Sequence, residues 1–130
     1  MKISGTFEAV LKPLGTHATG QEGVTLTRMS IDKTFRGGLE ATSKGEMLSA
    51  LTSVPGSAGY VAIEQVIGSL SGKKGSFVLQ HFATMSGGEN RLVLEVIPES
   101  GSGELQGLKG EMAIRLEDDK QFYDFDYDLP

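Results

Sequence analysis

The chain has 130 residues and a net charge of −5, from 12 basic and 17 acidic side chains, and it contains neither cysteine nor tryptophan. At that length one domain over 1–130 is expected, and 38% hydrophobic against 22% charged residues supports a packed core rather than disorder. These counts exclude a disulfide miniprotein, a thiolate metal site, a cysteine nucleophile, collagen and a membrane span, and they leave no basic footprint for nucleic acid.

Glycine supplies 18 of the 130 residues, and its placement matters more than its number. Clusters of turn-forming residues fall at 15–23, 36–38, 53–57, 71–75, 86–90, 98–110 and 117–120, all but the last containing glycine. They leave eight segments, near 2–14, 24–35, 39–52, 57–70, 76–85, 91–97, 109–117 and 121–129. The first carries Ile3, Phe7, Ala9 and Leu11 on one parity, and the second Met29, Ile31 and Phe35. Residues 44–52 have some helix propensity but are read as the end of the third strand. The fourth and fifth are apolar on both faces, and the sixth alternates Leu92, Leu94 and Val96 with Arg91, Val93 and Glu95. Within 98–110, Gly103–Gly107 is the one candidate helical turn. The last segment alternates Tyr123, Phe125, Tyr127 and Leu129 with three Asp, the period-two signature of a half-buried strand.

Eight strands without crossover helices predict an antiparallel meander. An even number lets the first and last strands pair, so the expected fold is all-β: an eight-stranded antiparallel up-and-down β-barrel, with a β-sandwich as the alternative. In the barrel Lys2 is expected near Asp128. Gly5, Gly45, Gly59 and Gly68 fall inside strands, where barrels need bends.

Several stretches carry a family resemblance: Gly45–Leu48, Gly56–Glu64, Gly75–His81, Ser102–Gly110 and Tyr123–Tyr127. Together they resemble a family of uncharacterised bacterial proteins classed as a domain of unknown function and grouped by fold with the allene oxide cyclase-like barrels. The resemblance covers nearly the whole chain and implies the same eight-stranded barrel, of the calycin/lipocalin-like kind. It implies no catalytic residues, and transfer of the plant cyclase reaction would be fold analogy alone.

Motifs for chemistry are few. Gly68–Lys74 is one residue short of a phosphate loop and lacks the following Ser or Thr, so it reads as a hairpin turn. There is no Gly-x-Ser-x-Gly and no Gly-x-Gly-x-x-Gly, and His17 and His81 stand 64 residues apart. Asp124, Asp126 and Asp128 lack the glycine and glutamate of a calcium loop and read as a solvated strand face. No cofactor and no metal is expected.

The 57–85 hairpin is the most informative stretch. If Lys73 and Lys74 centre its turn, Glu64 opposes Ala83 and Val66 opposes His81. Glu64 and His81 are then diagonal neighbours among apolar side chains, a candidate acid/base pair if that face lines a cavity. The same pair could equally be a satisfied polar contact that orients strands, or lie on the surface, and a one-residue slip would place Glu64 with Gln80. The candidate ligand-lining residues are Tyr60, Glu64, His81, Met85, Phe125 and Tyr127. The opposite face, with Val61, Ile63, Ile67, Val78 and Phe82, predicts a homo-oligomer through strands 57–70 and 76–85.

Two functions follow. One is a barrel binding a small apolar or amphipathic molecule, with isomerase or cyclase chemistry by fold analogy only. The other is a self-associating protein with a packed interior. The N-terminal residues show no secretory pattern and the longest apolar run is Tyr60–Ile63, so a cytoplasmic protein engaging neither membrane nor nucleic acid is expected.

Overall fold

Inward and outward side chains alternate with period two along every long segment, including segments four and five, which are apolar on both faces, and strands result throughout. The computed structural model describes residues 1–130 and contains nine strands and no helix. They are β1 (Lys2–Leu14), β2 (Thr25–Gly37), β3 (Leu39–Leu51), β4 (Ala58–Leu70), β5 (Lys73–Ser86), β6 (Glu89–Val96), β7 (Ser102–Gly103), β8 (Lys109–Glu117) and β9 (Lys120–Asp128). Eight of them form a closed antiparallel ring in the order β4-β3-β2-β1-β9-β8-β6-β5, with β5 pairing back to β4. The two-residue β7 is added on β5. Closure removes the exposed edges that an open sheet would present.

Turn chemistry sets the hairpins. The β4–β5 turn is Ser71-Gly72, with both residues at positive φ, 48° and 84°. That conformation suits a two-residue turn whose twist matches the flanking strands. Leu70 therefore pairs with Lys73: the turn centre lies two residues before the expected Lys73-Lys74, and the pairing along β5 is corrected by four positions, with Glu64 opposite Leu79 rather than Ala83. Both lysines belong to the strand, so β5 starts at residue 73 rather than 76. Gly87-Gly88 and Asp118-Asp119 make turns of the same left-handed kind. Lys2 pairs with Asp126, not Asp128, while the main-chain oxygen of Tyr127 accepts from the Met1 amino group. Residues 104–107 turn without becoming helical.

The interior is uneven from end to end. The connection between β6 and β8 folds under one end of the ring, and its Leu105 and Leu108 plug it. Main-chain bonds from Ile97 to Val78 and from Glu104 to Lys74 hold that connection on β5. Above the plug pack Phe35, Leu39, Leu70, Phe77, Tyr123 and Phe125, all buried, with the Phe77 and Phe125 rings stacked 5.9 Å apart. At the opposite end lie the loops 15–24 and 52–57 and the two turns at 87–88 and 118–119. There Met29, Met47, Tyr60 and Met85 point inward yet are only partly buried. No helix is long and apolar enough to cross a membrane.

Candidate functional site

Between the plugged end and the open end lies a layer of buried polar side chains. Four neighbouring strands supply one each: Lys33 from β2, Ser43 from β3, Glu64 from β4 and His81 from β5. Register explains the grouping. Lys33 stands directly opposite Ser43, Glu64 opposite Gly45, and His81 opposite Ala62. From Ser43 to Glu64 and from Glu64 to His81 each step moves two residues along the pleat, so these side chains follow the strand tilt and meet inside.

Glu64 is the hub. Its side chain is fully buried, with those of Lys33 and His81 7% and 4% exposed. Lys33 Nζ donates to Glu64 Oε2 at 2.8 Å, and Ser43 Oγ donates to Oε1 at 2.7 Å. His81 Nε2 makes a short contact with the same Oε2. Gly45 makes room: a Cβ on it would stand 2.6 Å from Glu64 Cα and 2.8 Å from Glu64 Cβ. Lys33 Nζ also lies over the Phe7 and Phe35 rings, at 5.2 and 5.8 Å from their centroids, which offers the cation a second attractive surface.

Burial pushes the Glu64 carboxyl toward its neutral form, but the His81 hydrogen bond and the Lys33 charge outweigh it and hold the pKa down to about 2. Glu64 is therefore an anion at neutral pH. Burial, reinforced by that anion, raises the Tyr60 phenol above its ordinary value. The Tyr60 ring sits 6.4 Å from the His81 ring. No buried side-chain nitrogen or oxygen lacks a hydrogen-bond partner. His81 Nδ1 and the Tyr60 hydroxyl make no hydrogen bond within the chain, so both must be reached by solvent.

With that geometry in place, comparison with known proteins is direct. The family described as protein of unknown function DUF3224 matches residues 3–127. The chain belongs to the DUF3224 family. A solved structure of a protein with unknown function from that family, from Shewanella oneidensis MR-1, is 58% identical. It superposes with a TM-score of 0.98, covering 100% of this chain and 97% of that one. No curated protein matches.

In this DUF3224 barrel all six residues expected to line a ligand face inward, but they separate into two groups. Tyr60, Glu64, His81 and Met85 share the polar layer and the open end. Phe125 and Tyr127 lie in the packed end, where their rings are 5.2 Å apart and the Tyr127 hydroxyl bonds Ser71 Oγ at 3.0 Å. Glu64 and His81 remain diagonal neighbours, although the register that joins them differs from the expected one. Lys33 and Ser43 were missed. The signal was present, since Lys33 occupies the parity of Met29, Ile31 and Phe35, and Ser43 that of Leu39 and Ala41.

The larger concavities of the DUF3224 barrel lie in its wall. One, of about 710 Å³, follows the β6–β8 seam, where only Glu95 and Glu111 pair, and it touches Leu92, Met112, Ile114 and Phe125. Two more, of about 690 and 750 Å³, adjoin on the outer face of β2–β5 around Leu48, Val61 and Phe82. On the outside, Asp124 is bound by Arg115 at 2.6 Å and by Ser4 at 2.6 Å. No three His, Asp or Glu side chains are placed to hold a metal ion.

Proposed function

We propose that this barrel is a cytoplasmic binding protein for one small amphipathic molecule, taken in at the open end. The polar layer carries the reading. An ion pair this deeply buried adds little to stability compared with apolar side chains of the same size. Its presence beneath an incompletely buried rim favours recognition of a polar group. His81 Nδ1 and the Tyr60 hydroxyl are the unspent hydrogen-bonding atoms beside that layer. Met29, Met47 and Met85 supply flexible, polarisable contacts for an apolar body.

Glu64 is poorly suited to proton abstraction. It already accepts from Lys33, Ser43 and His81, and to act as a base it would have to give up one of them. That favours binding over an isomerase or cyclase step.

The test is a titration of methyl-labelled methionines, followed by NMR, with decanoate, decanol and anilinonaphthalene sulfonate as probes. Binding at the open end shifts the Met29, Met47 and Met85 methyls and leaves Met112 unmoved. No shift with any probe up to about 1 mM, the weak limit of specific binding, overturns the proposal. So does a response confined to Met112, which borders the β6–β8 seam.

A further inference from the structure

We propose that the outer face of β3–β6 joins two copies of this chain in a dimer whose two-fold axis runs along the row Leu48–Val61–Phe82–Val93. The pairing of the four strands places these residues side by side on the outer surface. They are 55%, 48%, 42% and 36% exposed, so an unbroken apolar stripe crosses the barrel wall. A stripe of that kind on a surface otherwise rich in charge marks an association site.

The surroundings favour a second copy as the occupant. The outward side of β4 reads Gly59, Val61, Ile63, Gln65, Ile67 and Ser69, with no charge over its whole length. On one flank the charges are already paired within the chain, Arg28 with Glu46 at 2.6 Å and Lys44 with Asp32 at 2.8 Å. On the other flank, Arg91 and Glu95 of β6 have no ion-pair partner. Glu95 instead stands opposite Glu111 across the β6–β8 seam, a like-charge pair that a cation would relieve. The Arg91 guanidinium lies over the Phe82 ring, 5.3 Å from its centroid, at the edge of the stripe.

Arg91 and Glu95 lie two residues to either side of Val93. A two-fold axis along the apolar row exchanges those positions, so Arg91 of each copy faces Glu95 of the other. Two ion pairs form at once, each against the unrelieved Glu95. The same operation lays Ile63 of one copy over Gly59 of the other, where no side chain competes for the space. The face is self-complementary in charge and in shape, as an isologous interface requires.

Sedimentation velocity of the full chain, from about 1 to about 200 µM, spans the weak dimers that interfaces of modest area form. The expected species is twice the 13.8 kDa chain mass. Val61→Glu abolishes the dimer while circular dichroism and the thermal midpoint show the fold intact, since Val61 is exposed. Arg91→Glu and Glu95→Arg each weaken the dimer by about tenfold, as expected for two rim pairs lost together. The double variant returns to within about threefold of wild type, because both pairs re-form with their signs exchanged. A wild-type monomer at the highest concentration overturns the proposal. So does a dimer indifferent to Val61→Glu, or a double charge reversal no stronger than the single ones, which would mean that this stripe meets a different protein or another face.

Discussion

Glu64 and His81 meet diagonally across the β4–β5 hairpin, with Glu64 opposite Leu79 and His81 opposite Ala62. One carboxylate oxygen, Oε2, serves both His81 Nε2 and Lys33 Nζ, while the other takes the Ser43 hydroxyl. A single anion thereby ties four consecutive strands of the ring. Because a slip of one residue sends every side chain to the other face, the anchor also fixes the register of β2 to β5.

Neutralising that anion leaves Lys33 buried without a counter-charge. Glu64→Gln is expected to cost about 3–5 kcal/mol, the range for breaking one partner of a buried ion pair. Adding Lys33→Met to it removes the orphaned cation and restores part of the loss. Urea unfolding of the wild type, both single variants and the double variant measures the coupling. A Glu64→Gln loss under about 1 kcal/mol would refute the electrostatic anchor.

The same carboxylate makes stability depend on acid. Its pKa is held near 2 in the folded chain against 4.5 for the free group. A group with a depressed folded pKa contributes its full stability above the unfolded value. That contribution falls away as pH drops from about 4.5 toward about 2, because the unfolded chain takes up the proton first. The gap corresponds to about 3 kcal/mol. Exposed carboxylates such as Asp124 and Glu46 are also held low, by Arg115 and Arg28 respectively, and blur the raw pH profile. The difference between wild type and Glu64→Gln isolates the buried group. Urea midpoints at pH steps between 5 and 2 should converge for the two proteins as the pH falls, and parallel curves contradict the assignment.

Much of the barrel was readable because strand parity tolerates errors of register. The β4–β5 turn centre lies two residues before the expected one, which moves every partner along β5 by four residues, and an even shift leaves each side chain on its face. Glu64 and His81 thus stayed inside and stayed diagonal, through the opposite diagonal. Which residues make the turn was harder to read, because Lys73-Lys74 and Ser71-Gly72 both sit between apolar runs. Only the positive φ of Ser71 and Gly72 distinguishes them. Lys33 was missed for a different reason. A lysine on an apolar parity reads as an outward interruption unless the carboxylate that meets it, 31 residues later, is already known to face the same interior.

Room for Glu64 depends on its neighbour. Gly45→Ala adds a Cβ at 2.6 Å from Glu64 Cα, a backbone atom that no rotamer change can move. The expected cost is about 1–3 kcal/mol, as for other overpacked interiors. The displacement acts on the polar layer in particular. The His81 imidazole resonances should therefore shift in Gly45→Ala, while the Met112 methyl, toward the packed end, keeps its position. A stable variant with an unchanged His81 would show that β3 and β4 can part there without disturbing the anchor.

The plugged end has its own polar fastening. The Tyr123 hydroxyl accepts from the Leu39 main-chain nitrogen at 2.9 Å and lies 3.0 Å from the Arg36 carbonyl oxygen, so it bridges β9 to the β2–β3 corner. Tyr123 is fully buried, so in Tyr123→Phe the Leu39 N–H loses its partner with no water to replace it. An orphaned buried donor costs about 1–3 kcal/mol. Tyr127→Phe loses only a part-buried contact with Ser71 Oγ, which water can replace, and should cost less than about 1 kcal/mol. Amide exchange at Leu39 should accelerate in Tyr123→Phe and remain slow in Tyr127→Phe. If the two variants were equally stable, with Leu39 equally protected, the corner would owe its position to Phe35 and Leu39 packing rather than to the Tyr123 hydroxyl.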